Sequence, residues 1–295
     1  MPILRPARQV DLAQAYDVFY QNEVRDTPDP PPSGSVPTDL SHILETGTVY
    51  VAEQDDTIIA FAASITRGSV TFLTDLFVLP DQQSSRLGQA LLSYVMPENN
   101  TIRCTFSSTD PRALALYIRS GMQPQWPHFC LRLTGPLRGD PLNSDIEVHE
   151  GQADDPAFIE WDTQVSGRSR SVDHTHWLHR QRTVPLWFTR QGNKIGYAYV
   201  RLGEGTIWYP EACTLGPIGV QSVQDAAPCT LAAVNWARKH AGAEILLISV
   251  PGPHPALASL LNVGFHITYV ETFVSTAPTP FFDTRCYVAS GSNLF

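Results

Sequence analysis

Basic residues are in deficit in this sequence: 20 Lys and Arg stand against 29 Asp and Glu, for a formal charge of −9. Such a field repels phosphate backbones and anionic lipid surfaces, so neither nucleic acid nor membrane is an expected partner. Cysteine is also sparse. Cys104, Cys130, Cys213, Cys229 and Cys286 are odd in number and contain no C-x-x-C pair, which argues against a disulfide framework and against a cysteine zinc site. No run approaches the roughly 20 apolar residues of a membrane span, and the opening MPILRPARQVDL lacks the apolar core of a secretory signal, so a cytoplasmic location is expected. His174, His176 and His179 do not form H-E-x-x-H, and no metal is expected.

What is present is the composition of a folded chain. Hydrophobic residues reach 43% and charged residues only 17%, far from the signature of disorder. A length of 295 residues suits two domains, each with its own core.

The periodicities give an order of elements. A short strand at Ile3 to Pro6 precedes an amphipathic helix carrying Leu12, Ala15, Tyr16 and Phe19. A loop of helix breakers, TPDPPPSGSVPTD, follows, then a short helix at Leu40 to Leu44. Three β-rich runs, at 48 to 54, 57 to 65 and 69 to 79, read as an antiparallel meander. Helix, strand, helix and strand complete an α/β half.

The stretch TGPLRGDPLNSD has no apolar periodicity and separates segments of similar size, so domains are expected at 1–134 and 146–295. Beyond it the order recurs. GNKIGYAYV repeats the place of DDTIIAFAAS, and ALASLLNVGF that of ALALYIRSGM. GTIWYPEACTLGPI is expected as a strand in this second half.

Two segments carry chemistry. LTDLFVLPDQQSSRLGQALL runs from a β-rich stretch through a turn into an apolar-striped helix, and small residues at a helix start let backbone N–H groups surround an anion. SSTDPRALALYIRSGM opens with Asp110, an N-cap residue by type, and places Tyr117 four residues before Gly121.

These two segments resemble the signatures of the GNAT superfamily of N-acetyltransferases, and the resemblance covers the first half from end to end. It implies an α/β (α+β) fold of two tandem GNAT-like domains, each a mixed, mostly antiparallel sheet flanked by helices. It also implies acetyl-coenzyme A as cofactor, with Gln83, Ser84, Ser85, Arg86, Leu87, Gly88 and Gln89 at the pyrophosphate. Asp110 and Ala113 would follow in the second signature, and the backbone of Leu76, Phe77 and Val78 would pair with the pantetheine arm. Arg86 departs from the pattern, standing where the family has glycine.

By the same resemblance Tyr117 is the acid that protonates the leaving thiolate, and Asp75, a carboxylate in an apolar strand, is the base that takes a proton from the amine. Each residue has a plainer reading: Tyr117 as a core ring, Asp75 on a solvated face, Asp110 as a cap alone.

The second half lacks these features. GPIGVQSVQDAAPCTLAAV has no equivalent loop and puts Pro228 near the start of its helix, and Leu260 stands where Tyr117 would. Its polar cluster GRSRSVDHTHWLHR resembles a segment of some tandem GNAT proteins, which implies an acceptor pocket lined by Arg168, Arg170, Asp173, His174 and Trp177. Asp173 is equally an N-cap and Trp177 a core ring. The function expected is acetyl transfer to a small primary amine in a ternary complex. The alternatives are a non-catalytic acyl-coenzyme A sensor and a structural tandem domain.

Overall fold

In a computed structural model of the protein, the described residues are 2–83, 86–98, 101–139, 145–203, 205–291 and 294–295. They form two compact units, residues 1–105 with Leu294, and residues 106–293 with Phe295.

The first unit opens with β1 (Ile3–Pro6), α1 (Leu12–Glu23) and α2 (Thr38–Thr46). The meander then follows as β2 (Thr48–Gln54), β3 (Thr57–Arg67) and β4 (Val70–Val78), before α3 (Leu87–Val95) and β5 (Ile102–Ser107). The strands lie in the order β1-β2-β3-β4-β5, antiparallel except for the last pair. β3 is buried along nearly its whole length because α1, α2 and α3 all pack against it, so its apolar run IIAFAAS needs no polar face.

Two irregularities shape β4. Asp75 pairs with Ala63 but Leu73 pairs with Ser64, so Thr74 is an extra residue, a bulge that bends the strand. Pairing with β5 is parallel and ends at Phe72 opposite Cys104, although β4 continues to Val78.

The breaker-rich stretch between α1 and α2 has no regular structure and is pinned by two tyrosines of α1. The Tyr16 hydroxyl donates to the Ser33 carbonyl at 2.6 Å, and the Tyr20 hydroxyl to that of Pro31 at 2.5 Å.

The chain enters the second unit within β5. There follow α4 (Pro111–Arg119), β6 (Gln123–Thr134), β7 (Glu147–Glu150), α5 (Ala157–Ser166) and α6 (Ser171–Arg180). Next come β8 (Thr183–Arg190), β9 (Asn193–Arg201), β10 (Cys213–Val220), α7 (Val223–His240) and β11 (Ile245–Pro251). The last elements are α8 (Ala256–Asn262), β12 (His266–Ser275) and β13 (Tyr287–Val288). The sheet order here is β12-β6-β11-β10-β9-β8-β7, with β13 on β10. Its antiparallel run β7-β8-β9-β10 and parallel β10–β11 pair repeat the plan of β1 to β5. The core gathers α7, through Ala226, Cys229, Ala233 and Ala237, against Val200, Ile218, Leu246 and Ile248.

Two placements differ from the sequence reading. α4 and β6 belong to the second unit, where β6 pairs with both β11 and β12. The expected strand at 205 to 218 begins only at Cys213. Before it the backbone turns back on itself, Tyr209 N–H donating to Thr206 and Ala212 N–H to Tyr209. Pro210, which has no N–H for a ladder, sits in that turn. No helix among the described residues is long and apolar enough to cross a membrane.

Candidate functional site

In the first unit the candidate residues follow one another along β4 and into α3. Beyond Leu73 the β4 edge that faced β5 has no strand partner among the described residues. Leu76, Phe77 and Val78, half-buried, lie on this stretch. Unpaired backbone on a strand edge is what an extended ligand arm pairs with.

The strand leads to α3, whose first-turn N–H groups have no acceptor within the helix. Arg86, at the N-cap, makes no side-chain capping bond. Leu87 packs inward, whereas Gly88 and Gln89 are accessible to differing degrees. Ser84 and Ser85 lie outside the described residues.

Arg86 adopts a left-handed backbone, φ 67° and ψ 6°. That conformation is natural for glycine and costs other residues about 1 kcal/mol. The Arg86 side chain is exposed.

Gln83 anchors the loop through residues distant in sequence. Its Nε2 donates to the Asn22 side chain at 3.0 Å, and its Oε1 accepts from Arg25 at 3.3 Å. Asn22 also donates to the Val78 carbonyl at 3.1 Å, so one α1 residue holds both the end of β4 and the start of the loop.

Asp75 follows the bulge, and the Thr74 hydroxyl donates to its Oδ2 at 2.7 Å. Burial pushes its carboxyl up to about 6, the Thr74 bond works against this, and the charge of Asp39 on α2 adds to it. A carboxylate with that proton affinity exchanges protons near neutral pH, as a general base must. Asp39 was not picked out in the sequence because its proximity to Asp75 is tertiary.

In the second unit Tyr117 is buried on α4, with Ala113 half-buried one turn earlier. The Asp110 carboxylate caps α4, accepting from the Arg112 N–H at 2.8 Å, and also pairs with the Arg112 guanidinium at 2.6 Å. Its capping reading is therefore realised.

The counterpart of the α3 start is closed. Ser222 caps α7 by accepting from the Gln224 N–H at 3.4 Å, Asp225 stands in the first turn paired with Arg190 at 2.5 Å, and Pro228 lies inside the helix. Leu260 is fully buried.

The polar cluster is interior. Arg168 is 5% exposed and Arg170, Asp173, His174 and Trp177 are 1% or less. His174 lies against the Tyr199 hydroxyl at 2.6 Å and Asp162 at 3.2 Å, and Asp162 in turn receives Arg170 and the Tyr197 hydroxyl. Burial alone would raise the Asp162 carboxyl, but the Arg170 guanidinium overrides it and holds it well below the ordinary range. The expected acceptor lining is thus engaged in an internal network. Cys130 and Cys213 are also unsuited to nucleophilic work, because burial pushes their thiols up to about 12.

Residues 45–123 match the family model described as an acetyltransferase (GNAT) domain. Over 100% of this chain and 96% of the other, at 15% identity and a TM-score of 0.77, the protein is similar to a structure from Pyrococcus horikoshii described as a candidate acetyltransferase. A tandem GNAT protein from the clavulanic acid biosynthesis pathway aligns over 95% of this chain and 100% of its own, at 14% identity and a TM-score of 0.67. A GCN5-related N-acetyltransferase from Sphaerobacter thermophilus aligns over 93% and 95%, at 14% identity and a TM-score of 0.66. No curated protein matches the chain.

The fold is therefore that of tandem GNAT proteins. Within it, residues 45–123 are similar to an acetyltransferase (GNAT) domain.

Proposed function

We propose that this protein transfers an acetyl group from acetyl-coenzyme A to a small primary amine, by direct attack in a ternary complex. The observation that supports this most is the continuity of a β4 edge that has no strand partner among the described residues with an α3 start where Arg86 makes no capping bond, both inside the matched residues.

The edge at Leu76, Phe77 and Val78 pairs with the extended amide-bearing arm, and the N–H groups from Gln83 through Gln89 receive the pyrophosphate. Acetyl-coenzyme A supplies the activated acyl group. Asp75 accepts a proton from the ammonium, directly or through water, freeing the lone pair that forms the new C–N bond. Tyr117 gives its hydroxyl proton to the departing thiolate as the C–S bond breaks. Holding both reactants in one complex makes the attack effectively unimolecular. One cofactor binds per chain, since the Ser222 cap and the Asp225 carboxylate in the first turn disfavour an anion at the α7 start.

The test is thiol release from acetyl-coenzyme A over a panel of primary amines, beside titration calorimetry. Amine-dependent turnover with close to one site per chain is expected, and a bulky substitution at Gly88 should abolish binding. Binding without turnover of any amine, unchanged in Tyr117→Phe, would make the protein a non-catalytic acyl-coenzyme A sensor instead.

A further inference from the structure

The parallel pair in the second unit parts as its counterpart does, but the gap is filled. β10 pairs with β11 through Cys213, Thr214 and Leu215, and then its register against β9 shifts between Leu215 and Ile218. From there β13 lies antiparallel along β10, with Ile218 opposite Val288 and Gly219 opposite Tyr287. The Val220 N–H donates to the Cys286 carbonyl at 3.0 Å. On β4 of the first unit, the corresponding edge carries no strand among the described residues.

The seat is shaped for backbone. A Cβ at Gly216, whose φ is +134°, would overlap the Ala289 carbonyl oxygen, and one at Gly167 would overlap that of Phe281. Three buried arginines then hold the segment. Arg201 donates to the Ser290 carbonyl, Arg170 to the Tyr287 hydroxyl and the Phe295 carbonyl, and Arg168 to the same Phe295 oxygen, its guanidinium 5.9 Å from the Tyr287 ring centroid. Tyr287 and Val288 are fully buried.

We infer that the second unit retains a strand-accepting slot whose ligand is the chain's own segment, Cys286 to Gly291, and that Arg168, Arg170 and Arg201 anchor this built-in occupant. The comparison with a pantetheine arm rests on the function proposed above. The occupancy rests on the hydrogen bonds and the glycine seat. Main-chain pairing supplies the attraction, and covalent attachment keeps the occupant at a high effective concentration, so a free cofactor arm does not compete. This gives the GRSR cluster a role distinct from acceptor binding, and it closes the slot independently of the chemistry at the α7 start.

Hydrogen exchange on the full chain, with and without excess acetyl-coenzyme A, tests this. Amides at 218–220 and 286–289 should exchange slowly and be unaffected by the cofactor. Gly216→Val should speed exchange at both segments at least tenfold while leaving 48–78 unchanged. Should that variant lose protection everywhere, Arg201→Met is the second probe, with faster exchange expected at 287–291. Fast exchange at 218–220 in the unaltered chain, cofactor-induced protection there, or unchanged exchange at 286–291 in the folded variant would overturn the inference. Cofactor protection at 74–78 reports on the proposed function alone: its absence beside a closed slot would sink that function and leave this inference standing.

Discussion

Arg170 meets Asp162 through two parallel bonds, Nε to Oδ2 at 2.7 Å and Nη2 to Oδ1 at 2.6 Å, with neither side chain exposed to solvent. Removing one partner strands a buried charge, so Arg170→Ala should cost about 3–5 kcal/mol in urea denaturation. Arg170→Lys should also be costly, because an ammonium cannot reproduce the planar two-pronged donor. The folded Asp162 carboxyl is depressed, so its contribution is present above the unfolded carboxylate range and lost as pH falls through that range and below. A loss below about 1 kcal/mol in Arg170→Ala would show that the pair is structurally idle.

Asp75 gives the opposite pH signature. Its folded carboxyl is raised to about 6, so the ionised form is penalised. That cost is present above pH 6 and disappears as pH falls to the unfolded value. Asp75→Asn should therefore raise the melting temperature at pH 8 and change it little at pH 4. The same titration should appear in kcat/KM for the transfer reaction, which rises about tenfold per pH unit below 6 and levels off above. A profile without that limb would remove Asp75 from the role of base.

Tyr117→Phe deletes a hydroxyl while keeping the ring. If Tyr117 delivers the proton to the thiolate, turnover should fall about 10²-fold with cofactor affinity nearly unchanged. The comparison needs chemistry to be rate-limiting, which single-turnover measurement establishes. Equal single-turnover rates would return Tyr117 to the core.

Arg86→Gly relieves the left-handed strain at the α3 N-cap. Glycine adopts this conformation freely but loses more entropy on folding, so a net gain of up to about 1 kcal/mol is expected in thermal denaturation. Arg86→Ala retains the strain and loses the guanidinium, and should weaken acetyl-coenzyme A binding. If both variants bind as the unaltered chain does, the side chain makes no phosphate contact.

The element order, the internal repeat and the loss of the second loop were all legible in the sequence. They depend on local signals: period-2 runs in β2 to β4, helical stripes in α3 and α4, and single residues such as Leu260, which has no proton to give. Distance in sequence hid the rest. Gln83 is held by Asn22 and Arg25, 61 and 58 residues away, and Asp75 is tuned by Asp39 across the fold. The GRSR cluster read as an acceptor lining because its partners, Asp162, Tyr287 and Phe295, are named by no motif. Burial reverses the meaning of such residues: a guanidinium that would bind substrate at a surface must, once desolvated, be satisfied from within. The sequence by itself determined which backbone segments form strands and helices. Only the tertiary structure decided which strand edge stayed open, because an edge is closed by whatever segment the fold brings to it, and β13 is brought to β10.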